Sequence, residues 1–202
     1  MNIQELKDLQ PLVYQQFVTI LEQGRLAHAY LFSGDFASFE MALFLSQALF
    51  CQEKVGVHPC GKCRSCRLIE SNDFSDVTIV APQGNFIKTD TIRELVKNFS
   101  QSGFESSQQV FIIRDAEKMH VNAANSLLKV IEEPQSTIHI FLLTNQEEAV
   151  LPTIKSRTQI ISFPQNLPYL ERFLEEEGLL KTQASLIARL VSSQEEAKRL
   201  AT

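Results

Sequence analysis

Ala29-Tyr30-Leu31-Phe32-Ser33-Gly34-Asp35-Phe36-Ala37-Ser38-Phe39-Glu40-Met41 is the stretch on which the fold turns. Its first four residues are an apolar run closed by Ser-Gly, the pattern of a buried strand running into a loop. From Phe39 the sequence continues FEMALFLSQALF, apolar on most sides of a helix, which therefore has to be buried. Working outward, residues 4–23 carry Leu6, Leu9, Leu12, Val13, Phe17, Ile20 and Leu21 at helical spacing and predict one amphipathic helix. Further strands are expected at Val77–Ala81, Val110–Ile113, Ile138–Leu143 and Gln159–Phe163. Between them, Ile92, Leu95, Val96 and Phe99 share a helix face behind the N-cap candidates Thr89, Asp90 and Thr91, the last with a possible capping box to Glu94. Ala124, Leu127, Leu128 and Ile131 share another, which Pro134 should stop. Five strands alternating with helices predict an α/β fold with a mostly parallel sheet covered on both faces.

From Pro164 the pattern changes to three short helical segments, near 168–177, 181–192 and 194–201. The expected division is an α/β domain over residues 1–163, interrupted by a non-core insert at 51–66, followed by a small helical domain over 164–202. The chain has 202 residues, 44% of them apolar, enough for a sizeable core. A formal net charge of −5 argues against free DNA binding as the default, since phosphate contact needs clustered Lys and Arg. The polar start, MNIQELKDLQ, lacks a signal-peptide core, and no run of 18 apolar residues exists, so the expected compartment is cytoplasmic.

The insert holds all four cysteines, Cys51, Cys60, Cys63 and Cys66, spaced C-x8-C-x2-C-x2-C. A two-residue gap lets one tight turn aim two sulfurs at one ion, and Pro59 and Gly61 suit such turns. Disulfides are disfavoured in the cytoplasm, and four unrelated thiols rarely cluster so. The expectation is a structural zinc, because four protein ligands leave no open position for chemistry. Lys62, Arg64 and Arg67 would partly offset the double negative charge of such a site.

Strand, Ser-Gly and buried helix also form the layout of a phosphate-binding loop, G-x4-G-K-[ST], in which backbone N–H groups cradle phosphate, Lys neutralises it and Ser/Thr holds magnesium. Counted from Gly34, Phe39 stands at the second Gly, Glu40 at the Lys and Met41 at the Ser/Thr. Glu40 puts an anion beside a polyanion. On this loop alone, an ordinary strand–loop–helix with no nucleotide history is an equally good reading.

Several fragments in order break that tie. Gly24-Arg25-Leu26-Ala27-His28-Ala29-Tyr30-Leu31-Phe32, the four cysteines, Asn125-Ser126-Leu127-Leu128-Lys129-Val130-Ile131-Glu132-Glu133-Pro134 and Ser156-Arg157-Thr158 together resemble the clamp-loader branch of the AAA+ ATPases, specifically its bacterial delta-prime members. The resemblance implies an AAA+ sheet domain with a zinc module, a helical lid, and a third, collar domain that this chain does not reach. It implies an ATPase site lacking two parts. Besides the loop, Ala116 follows Asp115 where an active relative has Glu, and Glu117 stands one residue late. No ATP hydrolysis and no bound nucleotide cofactor are therefore expected. It also implies that Arg157, with Ser156, is a finger for a neighbour's ATP site; Thr158 stands where the family has Cys. A surface Arg near a strand start is the plainer alternative.

His28 reads as a packing or hydrogen-bonding residue and Glu132 and Glu133 as capping or pairing residues, while by the resemblance Thr144-Asn145 occupy a sensor position whose task has lapsed. The implied partners are the clamp-loader ATPase subunits (gamma/tau), the delta subunit, the sliding clamp and primed DNA. Two rival readings are an active AAA+ ATPase, opposed by Phe39, Glu40 and Met41, and a zinc-dependent DNA-binding module using Lys54, Lys62, Arg64 and Arg67. Overall acidity and the lack of interleaved aromatics oppose the latter.

Overall fold

A computed structural model of the chain describes residues 3–99, 107–133, 137–191 and 194–201. Its centre is a five-stranded sheet in the order β2-β3-β4-β1-β5, with every pairing parallel. The strands are β1 (Ala29–Ser33), β2 (Val77–Val80), β3 (Gln108–Ile113), β4 (Thr137–Thr144) and β5 (Gln159–Ser162). The central strands are apolar without alternation because helices cover both faces. Tyr30, Phe32, Val110, Ile112 and Phe141 point to one face, where they meet α2 (Pro11–Glu22) and α3 (Ser38–Phe50). Ala29, Leu31, Phe111, Ile113, Ile140 and Leu142 point to the other, against α5 (Thr89–Phe99) and α6 (Val121–Glu132). On the first face Phe17, Tyr30, Phe32, Phe141 and Phe163 form a chain of ring contacts with centroids 4.7–6.0 Å apart. Each such buried side chain contributes on the order of 2 kcal/mol.

Three local expectations change. The single N-terminal helix is two, α1 (Ile3–Leu9) and α2, because Pro11 has no N–H to continue the first and drives Gln10 out of the helical region, to φ −132°. Gln10 is then buried and its amide donates to the carbonyls of Phe36 (2.9 Å) and Pro164 (2.7 Å). The helix α5 begins at Thr89, ahead of the expected Thr91 cap. The end of the insert is also helical, α4 (Arg64–Glu70), started by Cys63. Pro134, expected to stop α6, lies outside the described residues.

Two short helical turns, Ala116–Lys118 and α7 (Pro152–Lys155), close the second face. Beyond β5, α8 (Leu167–Glu176), α9 (Lys181–Leu190) and α10 (Gln194–Ala201) pack around Leu170, Leu174, Ala184, Ala188, Val191 and Ala197, with Phe36 from the β1–α3 loop inserted among them.

Candidate functional site

A parallel sheet has two unlike ends, and this chain uses them differently. At the carboxyl end of β1, the Gly34 N–H donates to Thr144 O at 2.8 Å, so the first loop donor is spent on β4. Gly34 has φ +116°, and an added Cβ would lie 2.3 Å from the Phe163 carbonyl oxygen, which explains glycine at this point. Ala37 takes a left-handed conformation (φ 67°), and α3 starts at Ser38. Phe39, Glu40 and Met41 are thus already wound into the helix. Met41 is fully buried in the core and its position offers no oxygen to a cation. The Phe39 ring lies under the Arg114 guanidinium, 4.8 Å from its centroid. Between Ser38, Phe39, Asp115 and Thr144 a cavity of about 20 Å³ remains, room for about one water.

The acidic groups nearby are internally engaged. Asp115 adopts φ 51° and pairs with Lys118 at 3.2 Å. The buried Thr144 hydroxyl donates to Glu117 Oε2 at 2.7 Å and accepts from the Gln146 N–H at 3.0 Å. Glu117, given little weight by its position in sequence, therefore reaches Thr144 at the end of β4. No local pattern marks this contact, because the two residues are 27 apart.

Arg157 lies at the opposite end of the sheet, two residues before β5 opens at Gln159. Gln159 pairs with Tyr30 and Ser162 with Ser33, so at least the length of this four-residue strand, ~10 Å, separates Arg157 from the Gly34 loop. Its Nε donates to Glu132 at the end of α6, and its Nη1 to Thr153 O (3.1 Å) and Ser156 Oγ (3.3 Å). The guanidinium side is 36% exposed beside an edge strand, so the group is held yet reachable. Thr158 Oγ1 donates to Ile154 O at 3.0 Å, closing the turn that carries Arg157. His28 makes a 2.6 Å contact from Nε2 to Ile131 O, tying the start of β1 to the same end of α6.

The cysteines also lie toward this end. The fold gathers Cys51, at the end of α3, with Cys60, Cys63 and Cys66, and the four sulfurs lie within 4.8 Å of one another. A tetrahedron with ~2.3 Å Zn–S bonds needs sulfurs ~3.8 Å apart, so a small contraction suffices. Gly61, at φ 71°, makes the turn between the second and third. The Cys60 N–H donates to Cys51 Sγ (3.3 Å) and the Cys63 N–H to Cys60 Sγ (3.2 Å), the donors a thiolate favours. Backbone donation from Lys62 and Cys63 draws the Cys60 thiol down to about 7, whereas burial pushes the Cys51 and Cys66 thiols up. This soft, four-sulfur donor set can hold a metal ion and is compatible with zinc. Gln47 Nε2 donates to Cys66 O (2.9 Å) and Gln108 Nε2 to Leu49 O (3.3 Å), anchoring the module to α3 and β3.

Among the described residues no helix is long and apolar enough to cross a membrane. Residues 9–166 match the family model described as DNA polymerase III, delta subunit. The chain is 39% identical over 199 residues to the DNA polymerase III subunit delta' of Bacillus subtilis, covering 97% of this chain and 60% of that protein. Against the subunit delta' of Escherichia coli it is 30% identical, covering 89% of this chain and 55% of the relative. The chain thus spans about three fifths of the length of these relatives. Among solved structures, a DNA polymerase III gamma subunit-related protein of Thermotoga maritima superposes with a TM-score of 0.65 at 24% identity, over 93% of this chain and 56% of that one. The Thermotoga maritima RuvB Holliday junction branch migration motor superposes with a TM-score of 0.55 at 14% identity, over 96% and 64%. These likenesses and the 2-3-4-1-5 parallel sheet agree with the AAA+ fold expected from the sequence.

Proposed function

This chain belongs to the DNA polymerase III delta subunit family and is a delta-prime-like clamp-loader subunit, and from that premise we propose that it acts without hydrolysing ATP, by lending Arg157 to an ATP site on a neighbouring subunit. One observation carries this reading: the two halves of such a site sit at opposite ends of the sheet, and only one is kept. The Gly34 end is filled by Phe39, Arg114 and the Thr144–Glu117 hydrogen bond. The Arg157 end is exposed, a strand's length from the loop of its own chain, and its guanidinium is held at that far end by Glu132, Thr153 and Ser156. A guanidinium presented there is placed to serve a neighbouring molecule rather than its own loop.

The chemistry needed is charge stabilisation. As a phosphoryl group transfers, negative charge spreads over its oxygens, and a guanidinium placed beside them stabilises that charge with its N–H donors. Arg157 keeps its charge at all relevant pH values, so its contribution depends on placement alone. The neighbour's nucleotide, magnesium and attacking water would be supplied by that neighbour.

In this reading residues 1–163 are the AAA+ domain and residues 164–202 its lid, with the four cysteines holding a structural zinc that fixes the end of α3. The receiving partners would be gamma/tau-type ATPase subunits in an assembly with delta, acting on a sliding clamp and primed DNA. The names of the relatives support membership of such a complex.

The test uses the full-length protein reconstituted with its loader partners. Arg157→Ala should leave assembly intact and slow clamp- and DNA-stimulated ATP turnover at the receiving site by up to ~10³-fold. Turnover equal to that of the unsubstituted loader would refute the finger role.

A further inference from the structure

The ion pair between Arg157 and Glu132 is not explained by the stability of either element. Glu132 is the last residue of α6, next to Glu133, where the helix dipole disfavours anions and favours cations. The pair is 36% and 49% exposed, a setting in which ion pairs add little to folding. Yet the contact is specific. Glu132 takes Nε, the inner edge of the guanidinium, while Thr153 O and Ser156 Oγ take Nη1. Among the described residues Nη2 makes no hydrogen bond, so one donor group of the fork is left without a partner on a side chain that is 36% exposed.

We propose that Glu132 is a positioning residue: its carboxylate fixes the Arg157 guanidinium by Nε so that the Nη side faces the neighbouring subunit's phosphoryl group. This rests on the finger reading above and deepens it by naming the group that sets the finger's direction. A free arginine has four rotatable bonds and loses much rotamer freedom when pinned at a phosphate. With Glu132 and Thr153 O already holding two edges, most of that ordering is complete before the neighbour arrives. The span explains why one residue cannot do this alone. Arg157 hangs from the turn after α7, a helix of four residues, whereas Glu132 stands on α6, a three-turn helix seated in the core by Ala123, Ala124, Leu127 and Ile131. The long helix supplies the rigid reference that the short one lacks.

The experiment is a double-mutant cycle on the full-length protein in the reconstituted loader, reading kcat and KM for clamp- and DNA-stimulated ATP hydrolysis. Glu132→Ala should lower kcat about five-fold, the size of a well-aligned exposed pair, and leave KM for ATP unchanged. Glu132→Gln keeps an acceptor oxygen for Nε and should retain most of the activity, which separates lost positioning from lost folding. The double variant Glu132→Ala with Arg157→Ala should match Arg157→Ala alone. Unchanged kcat in Glu132→Ala, where Arg157→Ala slows turnover, would overturn the positioning role and leave the finger standing. A raised kcat would show Glu132 to be a competitor for the guanidinium, and additive losses would place its action elsewhere. If Arg157→Ala itself leaves turnover unchanged, the finger reading fails and this proposal with it.

Discussion

The two ends of the central sheet were built from the same parallel strands and have opposite characters. At the carboxyl ends of β1, β3 and β4 four groups that could face a phosphate have a partner inside the chain: Gly34 N–H on Thr144 O, Asp115 on Lys118, Glu117 on Thr144, Arg114 over Phe39. At the amino ends Arg157 stands exposed beside the edge strand β5, while the four sulfurs gather beyond α3 with Cys51 and Cys66 buried. A closed site is coupled to the fold, so changing it should cost stability. The exposed Arg157 is coupled to partners, so changing it should cost activity and little stability, whereas the buried thiol cluster is coupled to its own module.

The largest effect should come from the metal. Chelation of a zinc-loaded preparation should remove up to ~10 kcal/mol of stabilisation from the module and disorder α4, while the sheet keeps its signal in circular dichroism. Metal affinity should weaken as pH falls. The Cys66 and Cys51 thiols, raised by burial, must give up protons to bind, and Cys60, near 7, takes up a proton below neutrality. Proton release measured by calorimetry in buffers of different ionisation enthalpy checks the sign; an affinity flat between pH 8 and 6 contradicts it.

Next, Gly34→Ala tests the closed end. With its Cβ driven to 2.3 Å from the Phe163 carbonyl at φ +116°, it should cost about 3 kcal/mol in denaturant unfolding. A cost below about 1 kcal/mol would mean that the loop can open. Thr144→Val removes a donor to Glu117 and an acceptor for Gln146 N–H and should cost about 1–2 kcal/mol. Arg157→Ala should change stability least, by under about 1 kcal/mol, since its pair with Glu132 is half exposed, while having the greatest effect on partner turnover. A large stability loss there would erase the contrast between the two ends.

Much of this was legible in the chain. Tyr30, Phe32 and their neighbours form continuous apolar runs, which only strands covered on both faces need, so the sheet could be read directly. The cysteine spacing pointed to one ion because two of its gaps are only two residues long, and local turns decide where those sulfurs point. The helix α4 was less legible, since Arg64 to Glu70 fully buries just Cys66 and Ile69, with Leu68 partly buried beside them, and is too short to carry a periodic signal. The break at Gln10–Pro11 was marked by its proline but masked by apolar residues continuing in helical phase on either side.

The sequence by itself determined the fold class, the family, the thiol cluster and the loss of Lys and Ser/Thr from the loop. Each is a matter of residue identity at short spacing, where backbone geometry allows few alternatives. Tertiary structure alone decided which end of the sheet each group occupies, that Glu117 reaches Thr144 across 27 residues, and that Glu132 holds Arg157 across 25. These pairs join separate elements, and their encounter depends on strand order and helix packing. Both are set by burial of the whole core and by nothing in the neighbourhood of either residue.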